Sequence, residues 1–351
     1  MLQGAEMPIA KLAAAVQHNC DVIDARHARD SGLCTYLLGM REYFRWVSGL
    51  GLGAAADPGA VGSWIARRER HWEALLDQGA DRLVALPLGG GLDAYDEEAV
   101  NEQIADDRLV YGAGIGRFGV PLFFLARREW QARRDGVQIV VAGDELARGY
   151  VATPAVSRGS TILVRLDALR RWLWTRAEVA GPRGPSDAFW SALKAYDRGA
   201  RLDDAIESMA RGELESLVLH ELGELRAGQI VGPDWERMLE QLGDRRSELV
   251  VRAVRDLLAD CLVTLPVLLE RRATASLHFW FSNFDGVRRA LAPQFLDARG
   301  EGVCSVDEDR LNAAVARGQT QWASLAMDLV GRWRQGGREA VLAQTVALYP
   351  A

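Results

Sequence analysis

Residues 120–143, VPLFFLARREWQARRDGVQIVVAG, decide the fold class of this chain. Two apolar runs, residues 120–126 and 137–143, stand at either end of a polar segment, and short apolar runs bounded by polar residues and glycine are typical of β-strands. The pair therefore predicts a β-hairpin. Other short β-type runs lie between residues 83 and 166, interrupted by one predicted helix at residues 96–107. We expect a small, partly antiparallel sheet in the middle of the chain.

Helical patterns lie on both sides of this sheet region. Residues 6–50 predict two helices, and residues 51–62 predict a loop before a third helix that ends near residue 78. Residues 181–187, GPRGPSD, are typical of a linker, and the chain beyond them has helical patterns throughout. The sequence therefore predicts an α+β fold with N-terminal helices, a small sheet in the middle and a larger all-helical C-terminal half. The predicted domains are residues 1–180 and 188–351.

Composition and charge narrow the classes of function. The chain has 351 residues, 49% of them hydrophobic and 26% charged, which is an ordinary composition for a globular protein long enough for two domains. No apolar run approaches the ~18 residues of a membrane span, and the N-terminus carries charges where a signal peptide is apolar. The net charge of −6, without a basic block, argues against a nucleic-acid partner. The four cysteines have no CxxC spacing, which favours reduced thiols in the cytoplasm.

The glycine-rich stretch at residues 111–119, YGAGIGRFG, has the glycine spacing of a nucleotide-binding loop but not its context. Such a loop needs a helix after it, because the helix N-terminus holds the pyrophosphate, and here a predicted strand follows. The stretch is therefore interpreted as a turn or a close backbone approach. GxSxG is absent from the sequence, which argues against an α/β-hydrolase nucleophile.

The segment most informative about function is residues 204–228, in which residues 219–228 have the sequence LHELGELRAG. On a helical wheel, Glu221 lies in the middle of an apolar stripe, with leucine and valine side chains within about 60° of it. An unpaired carboxylate in that position costs several kcal/mol, so it needs a partner. His220 and Glu224 are four residues apart and face the same way, which allows both to bind one metal ion. Glu221 beside them is placed as a general base.

This spacing resembles the HExxH helix of zinc hydrolases, with Glu224 in the place of the second histidine. The resemblance implies a divalent ion, zinc first and iron or manganese as alternatives, since carboxylate oxygen suits all three. It also implies a further carboxylate ligand on a following helix, with an acid four residues later that orients a ligand. Asp256 and Asp260 have that spacing, and both lie on the apolar face of the next long helix. His278, after a kink expected at Pro266, is a further candidate ligand, and its alternative is a core histidine.

A non-catalytic alternative stays open because arginine supplies almost all of the positive charge of this chain. Arginine forms bidentate pairs with carboxylates, so it is a ready partner for a buried acid. Glu221, Asp256 and Asp260 would then hold a structural or interaction protein together rather than bind a metal. The arginines considered as partners are Arg41, Arg45 and Arg252.

A second alternative is a di-iron or di-manganese oxidase in a helical bundle, which needs more inward-facing ligands. The N-terminal helices contain further acids and a histidine that could serve. We expect these side chains on solvated helix faces or at helix caps instead. They are Asp21, Asp24, His27 and Glu42.

Three blocks of the sequence are similar to a bacterial family of unknown function: residues 34–46 (CTYLLGMREYFRW), residues 109–126, and residues 219–228 with 255–266. The resemblance spans most of the chain and implies no activity. Taken together, the residues predict a cytoplasmic, metal-dependent enzyme with His220, Glu224 and Asp256 as ligands. Its partner would be a small-molecule or peptide substrate with an amide or ester bond, and a homo-oligomer stays open.

Overall fold

The computed structural model describes residues 9–77, 79, 82–181, 188–197, 199, 201–299 and 305–350. The chain forms two compact units. The first comprises Met1–Arg134, Gln138–Pro154 and Arg165–Arg176, and the second comprises Asp135–Val137, Ala155–Val164 and Ala177–Ala351. Except for Gly181, the predicted linker at residues 181–187 lies outside the described residues. No helix in the described part of the chain is long and apolar enough to cross a membrane.

Three helices open the first unit, a short fourth precedes the strands, and a fifth follows them. They are α1 (Ile9–His27), α2 (Leu33–Val47), α3 (Pro58–Asp77), α4 (Glu97–Gln103) and α5 (Leu166–Ala180). The two predicted N-terminal helices and the predicted helix at residues 96–107 are confirmed. α3 begins inside the predicted loop, because Pro58 suits the first turn of a helix and the Asp57 carboxylate accepts the N–H of Ala60 at 2.7 Å.

Five strands form a sheet in the order β1-β2-β3-β5-β4. They are β1 (Leu109–Ile115), β2 (Pro121–Arg134), β3 (Val137–Arg148), β4 (Ala155–Arg158) and β5 (Thr161–Arg165). β1 and β2 are antiparallel, and so are β4 and β5. Only Asp135 and Gly136 separate β2 from β3, and both have the positive φ that a two-residue hairpin turn needs. The predicted hairpin, the partly antiparallel sheet and the α+β class are therefore confirmed.

Residues 83–88 and the glycine-rich stretch at residues 111–119 both depart from regular β-strand structure. The β-type run at residues 83–88 contributes one isolated bridge and no strand. Pro87 has no N–H to donate, and three glycines with positive φ turn the chain directly afterwards. In β1, a Cβ on Gly112 would lie 2.1 Å from the ring of Phe124, its partner on β2. The glycine-rich stretch therefore includes a close backbone approach, which agrees with its interpretation from the sequence.

Three acids of the first unit contradict the expectation of solvated helix faces. They are Asp21, Asp24 and Glu42. All three are largely buried, because α1 packs against both α3 and β2 and arginines reach the acids from neighbouring elements. Arg68 pairs with Asp21, and Arg148 Nη2 lies 2.7 and 2.8 Å from the two carboxylate oxygens of Glu42. The side chain of His27 is 35% exposed, so it lies on a partly solvated face.

The second unit is helical beyond its strands, which confirms the predicted helical C-terminal half. Its helices are α6 (Ala188–Lys194), α7 (Leu202–Gly212), α8 (Leu214–Val231), α9 (Asp234–Leu242), α10 (Arg245–Ala259), α11 (Leu265–Glu270), α12 (Thr274–Ser282), α13 (Gly286–Leu291) and α14 (Glu308–Leu348). The core between them includes the fully buried Trp235, Trp322 and Phe295. α14 breaks at Gly337, whose φ of 62° is outside the helical range.

The kink expected at Pro266 takes the form of a π turn. α10 passes through this turn, Asp260–Thr264, directly into α11. Pro266 has no N–H for the helical hydrogen bond to Leu262, and a wider turn before it absorbs one extra residue. Asp260 begins the π turn and is 1% exposed. A buried carboxylate therefore stands where the helix changes its geometry.

α8 and α10 approach each other closely at one glycine. A Cβ on Gly223 would lie 2.5 Å from the carbonyl oxygen of Ala259, a distance that real Cβ atoms do not reach. Gly223 precedes Glu224, and Ala259 precedes Asp260. The absence of a side chain at Gly223 therefore sets how near the acids of the two helices can come.

We expect Gly223→Ala to lower the free energy of unfolding by about 1–3 kcal/mol, because the added methyl group forces two backbones apart. Gly228 on the same helix is the matched control, since a Cβ there meets no atom within 4 Å. Gly228→Ala should be neutral or stabilising by up to about 1 kcal/mol, the helix preference of alanine. Urea titration of the full chain followed by circular dichroism measures both, and equal effects of the two substitutions would contradict the close contact.

The buried Asp24 gives the first unit a pH-dependent stability. Burial is the main reason that the pKa of Asp24 rises from 3.8 to about 8, although the N–H of Tyr150 donates to it. Between these two values the unfolded chain has released the proton and the folded chain still holds it. Stability therefore falls as the pH rises through this range, by at most about 1.4 kcal/mol per pH unit.

We expect Asp24→Asn to remove this pH dependence, because the amide has no proton to release. The variant should gain stability relative to the native chain on going from pH 5 to pH 8, as measured by urea titration at each pH. Asp30→Asn, at an exposed acid of the same unit, is the control and should leave the pH profile unchanged. An unaltered profile in Asp24→Asn would show that the carboxyl is ionised throughout.

Candidate metal centre

One histidine and two acids converge between α8 and α10. His220 and Glu224 lie one turn apart on α8, with His220 Nε2 3.6 Å from Glu224 Oε1. Asp256 on α10 completes the group, in which one ligand atom from each residue lies within 4.8 Å of the other two. All three side chains are half-buried. The structure thus brings together the three residues that the sequence predicts as metal ligands.

Asp260 holds the imidazole of His220 in one orientation. Asp260 Oδ1 lies 2.8 Å from His220 Nδ1, so the ring donates its Nδ1 proton to the carboxylate. Because Nδ1 is engaged by Asp260, Nε2 is the ring nitrogen on the side of Glu224, and it is the one that would bind a metal after giving up its proton. The other oxygen, Oδ2, accepts from Trp280 Nε1 at 2.8 Å and lies 3.3 Å from Arg288 Nη1. Asp260 therefore contacts the ring nitrogen of His220 that does not face Glu224, and its role in orienting a metal ligand stays a prediction.

The two carboxyl groups of the converging set share a hydrogen bond and repel each other when both are charged. Burial raises the pKa of Asp256, and the neighbouring charge of Glu224 raises it further. Burial also opposes ionisation of Glu224, but Arg255, His220 and the hydrogen bond from Asp256 outweigh it and hold the pKa of Glu224 well below its ordinary value. Asp256 is therefore shifted towards its neutral form and Glu224 towards its ionised form, and a divalent cation between them would offset their repulsion.

The electrostatics of His220 follow from the same neighbours. Burial disfavours the imidazolium, but the charges and hydrogen bonds of Asp260 and Glu224 outweigh it and place the pKa of His220 well above its ordinary value. The acids that favour the imidazolium form of His220 would also favour a bound cation, so a metal ion would compete with protons for this site.

Arginine also reaches this site, through residues other than those considered from the sequence. Arg255 Nη2 lies 2.9 Å from Glu224 Oε2, and its Nη1 lies 2.8 Å from Glu236 on α9. Arg252 instead donates to Glu248 at 2.8 Å, and Arg41 and Arg45 lie on α2 of the first unit. Of the arginines considered from the sequence, Arg252 has another partner, and Arg255, which was not considered, is the one paired with Glu224. Periodicity places Arg255 beside Asp256 but cannot show that its long side chain reaches α8.

Glu221, the predicted general base, is 7% exposed. Nothing in the sequence indicated the hydrogen-bond partner of this acid. Its carboxylate forms a hydrogen bond with the side chain of Ser157 on β4. Burial raises its pKa to about 7, and the charge of Glu224 adds to the rise. Ser157 comes from the sheet region, some sixty residues earlier in the sequence, and no spacing rule links the two.

His278 does not belong to the converging set. It is 5% exposed on α12, in the run Leu277–Phe281 whose members are all buried. Trp280, two residues later, is the member of this run that reaches the site, through its hydrogen bond to Asp260. The sequence showed an aromatic cluster here without indicating which ring supports the site.

Comparisons with known proteins identify the family but no activity. Residues 11–165 match the N-terminal domain model of a family of unknown function, DUF6866, and residues 170–349 match the C-terminal domain model of the same family. No curated protein and no solved structure matches the chain. The C-terminal model covers α8 and α10 and every residue of the converging set, and the two models together span most of the sequence. The chain belongs to the DUF6866 family, with both of its domains present.

Proposed function

We propose that the second unit binds one divalent metal ion through His220, Glu224 and Asp256, and that the protein is a metal-dependent hydrolase. The observation that carries the proposal is the convergence of the three ligand atoms within 4.8 Å, with Asp260 fixing the imidazole of the first. Random pairing of surface charges does not require a buried aspartate behind the histidine. A supported histidine beside two carboxylates is what a metal site requires.

The donor set favours zinc and permits iron or manganese. One imidazole nitrogen and two carboxylate oxygens supply three protein ligands, the number in catalytic zinc sites, which leave a further position for water. The described residues contain one such group, which supports one ion rather than the two of an oxidase. A reducing, cytoplasmic location belongs to the same proposal, since Cys20, Cys34 and Cys261 are free thiols.

In this proposal, Glu221 acts as the general base for hydrolysis of an amide or ester. A bound divalent ion lowers the pKa of its water towards ~7. Glu221, next to His220 and buried, would be the residue that takes the proton from a water held at this ion. It would pass the same proton to the leaving nitrogen or oxygen of the substrate as the bond to the carbonyl carbon breaks, and so return to its starting form. Ser157 holds the carboxylate in place through its hydrogen bond.

We expect protein purified without chelators or a histidine tag to contain about one divalent ion per chain, measured by elemental analysis. The double variant His220→Ala, Glu224→Ala should lose it, because two of the three ligands are gone. His27→Ala, at a partly exposed histidine of the first unit, is the control and should keep its metal. Absence of metal from the native chain, with none taken up on adding zinc, iron or manganese, would contradict the proposal.

We expect Glu221→Gln to retain the metal and to lower hydrolysis by about a hundredfold or more, because an amide cannot take up the proton. p-Nitrophenyl acetate and a fluorogenic peptide amide are suitable first probes for the zinc-loaded chain. The elemental analysis described above shows whether the variant still holds its ion. A variant that hydrolyses a probe as fast as the native chain would rule out Glu221 as the base.

The arginine contacts favour one other function, a structural role without metal. Arg255 neutralises Glu224, and Arg288 approaches Asp260, as expected of ion pairs that fix helices in register. The two functions predict different effects of removing Arg255. In the metal proposal Arg255 competes with the ion for Glu224, so its removal should strengthen metal binding. In the structural role Arg255 only stabilises the fold, so its removal leaves Glu224 without its ion-pair partner.

We expect Arg255→Gln to tighten zinc binding by about tenfold, the effect of roughly 1.4 kcal/mol, as measured by isothermal titration calorimetry. Added zinc should then raise the melting temperature of this variant more than that of the native chain. Arg252→Gln is the matched control, since Arg252 pairs with Glu248 instead. A variant that is destabilised and not rescued by zinc would favour the structural role.

A further inference from the structure

Arg255 on α10 is shared between an acid of the candidate metal centre and an acid outside it. Its Nη2 donates to Glu224 Oε2 on α8 at 2.9 Å, and its Nη1 donates to Glu236 Oε1 on α9 at 2.8 Å. The two acids differ in their surroundings, since the side chain of Glu224 is 18% exposed and that of Glu236 is 63% exposed. One guanidinium group therefore connects the centre to an acid at the surface of the second unit.

The position of Arg255 is a compromise between these two acids. Each carboxylate accepts one hydrogen bond from the guanidinium group, whereas arginine pairs most strongly with a carboxylate through two parallel hydrogen bonds. The Nε–H of Arg255 is buried and has no acceptor in the described part of the chain. A buried donor without a partner has a free-energy cost. The guanidinium group is therefore not fully satisfied while it lies between two acids.

The two carboxylate oxygens of Glu224 face different neighbours. Oε2 accepts from Arg255, whereas Oε1 lies 3.6 Å from Nε2 of His220, which is another member of the converging set. A divalent ion on the Oε1 side would neutralise much of the charge that attracts Arg255 to Glu224. Glu236 would then be the stronger partner of Arg255, and its largely exposed side chain can follow the guanidinium group.

We propose that Glu236 is a positioning residue of the metal centre, which holds Arg255 away from Glu224 when the ion is bound. The inference rests on the proposed binding of a metal by His220, Glu224 and Asp256. In this arrangement Arg255 bridges both acids in the metal-free chain and pairs with Glu236 alone in the loaded chain. Because such coupling is reciprocal, the ion strengthens the pair of Arg255 and Glu236, and this pair strengthens binding of the ion by the same factor.

Isothermal titration calorimetry of zinc binding to the full chain at low ionic strength tests the proposal. We expect Glu236→Gln to weaken zinc binding by about threefold, the effect of an exposed ion pair, because Arg255 then stays on Glu224. Glu240→Gln is the matched control and should leave the zinc affinity nearly unchanged. Glu240 lies one turn further along α9, is also exposed and pairs with no residue in the described part of the chain, so its removal changes the net charge equally.

The same substitution in a chain without Arg255 separates this role from a general effect of charge. In the Arg255→Gln background, Glu236→Gln should leave the zinc affinity unchanged, because Glu236 acts only through the guanidinium group. A general effect of charge would weaken zinc binding in both backgrounds. Arg255→Lys replaces Arg255→Gln if that variant does not fold, since lysine is a point charge and lacks the planar fork that bridges two acids. Glu236→Gln should then weaken zinc binding less than it does beside arginine.

The possible outcomes distinguish failure of this role from failure of the metal centre. An unchanged zinc affinity in Glu236→Gln, an equal loss in Glu240→Gln, or an equal loss with and without Arg255 would overturn the role of Glu236. In each of these cases zinc binding by the native chain would still support the metal centre. Absence of zinc binding by the native chain would overturn both proposals.

Discussion

The contact between Gly223 and Ala259 is the constraint on which the candidate centre depends. A side chain at Gly223 would overlap the carbonyl oxygen of Ala259, so α8 and α10 pack this closely only with glycine at that position. Each partner of the contact is followed directly by an acid of the site, Glu224 on α8 and Asp260 on α10. The π turn begins at the same point of α10 and carries Asp260 towards His220. One backbone contact thus positions both the converging ligands and the aspartate behind them.

Buried acids are common to both units, and the positions of the arginines distinguish their roles. Asp21 and Glu42 in the first unit each have an arginine partner, as expected of acids that stabilise the packing of helices. Asp256 in the second unit is hydrogen-bonded to another carboxyl, and Asp24 in the first accepts a single backbone N–H. A buried carboxyl without a cation has a free-energy cost that a bound cation would remove. The ligand proposed for the second unit, a divalent ion, is a cation for this reason.

Much of the candidate metal centre could be predicted from helix periodicity. Spacing of four residues placed His220 with Glu224, and Asp256 with Asp260, on single faces, and the apolar surroundings indicated that those faces are buried. Periodicity describes one helix at a time, however, so it could not show that Trp280, Arg255 and Ser157 arrive from other elements. Periodicity also gave no reason for a glycine at position 223, since glycine destabilises an isolated helix. The reason is the close approach of Ala259 on α10, which leaves no space for a side chain.

The first unit shows the opposite case, in which a local pattern was misleading. Asp21 and Asp24 lie on a helix whose sequence predicts one apolar face and one solvated face. α1 instead packs against α3 and against β2, so the side that carries the acids is also covered. Because a helix pattern shows which residues are polar and not how many neighbours the helix has, burial of these acids could not be predicted. The sheet was easier to predict from the sequence, since the strands of the hairpin β2–β3 are close together along the chain.

The central claim is that His220, Glu224 and Asp256 bind a metal ion together. A crystal structure of the full chain grown with zinc, with anomalous data collected on both sides of the zinc absorption edge, tests it most directly. The account predicts one anomalous peak at about 2.0–2.1 Å from His220 Nε2 and within bonding distance of both carboxylates, with His220 Nδ1 still on Asp260. An empty site, with Arg255 paired to Glu224 and no peak at His220, would contradict it.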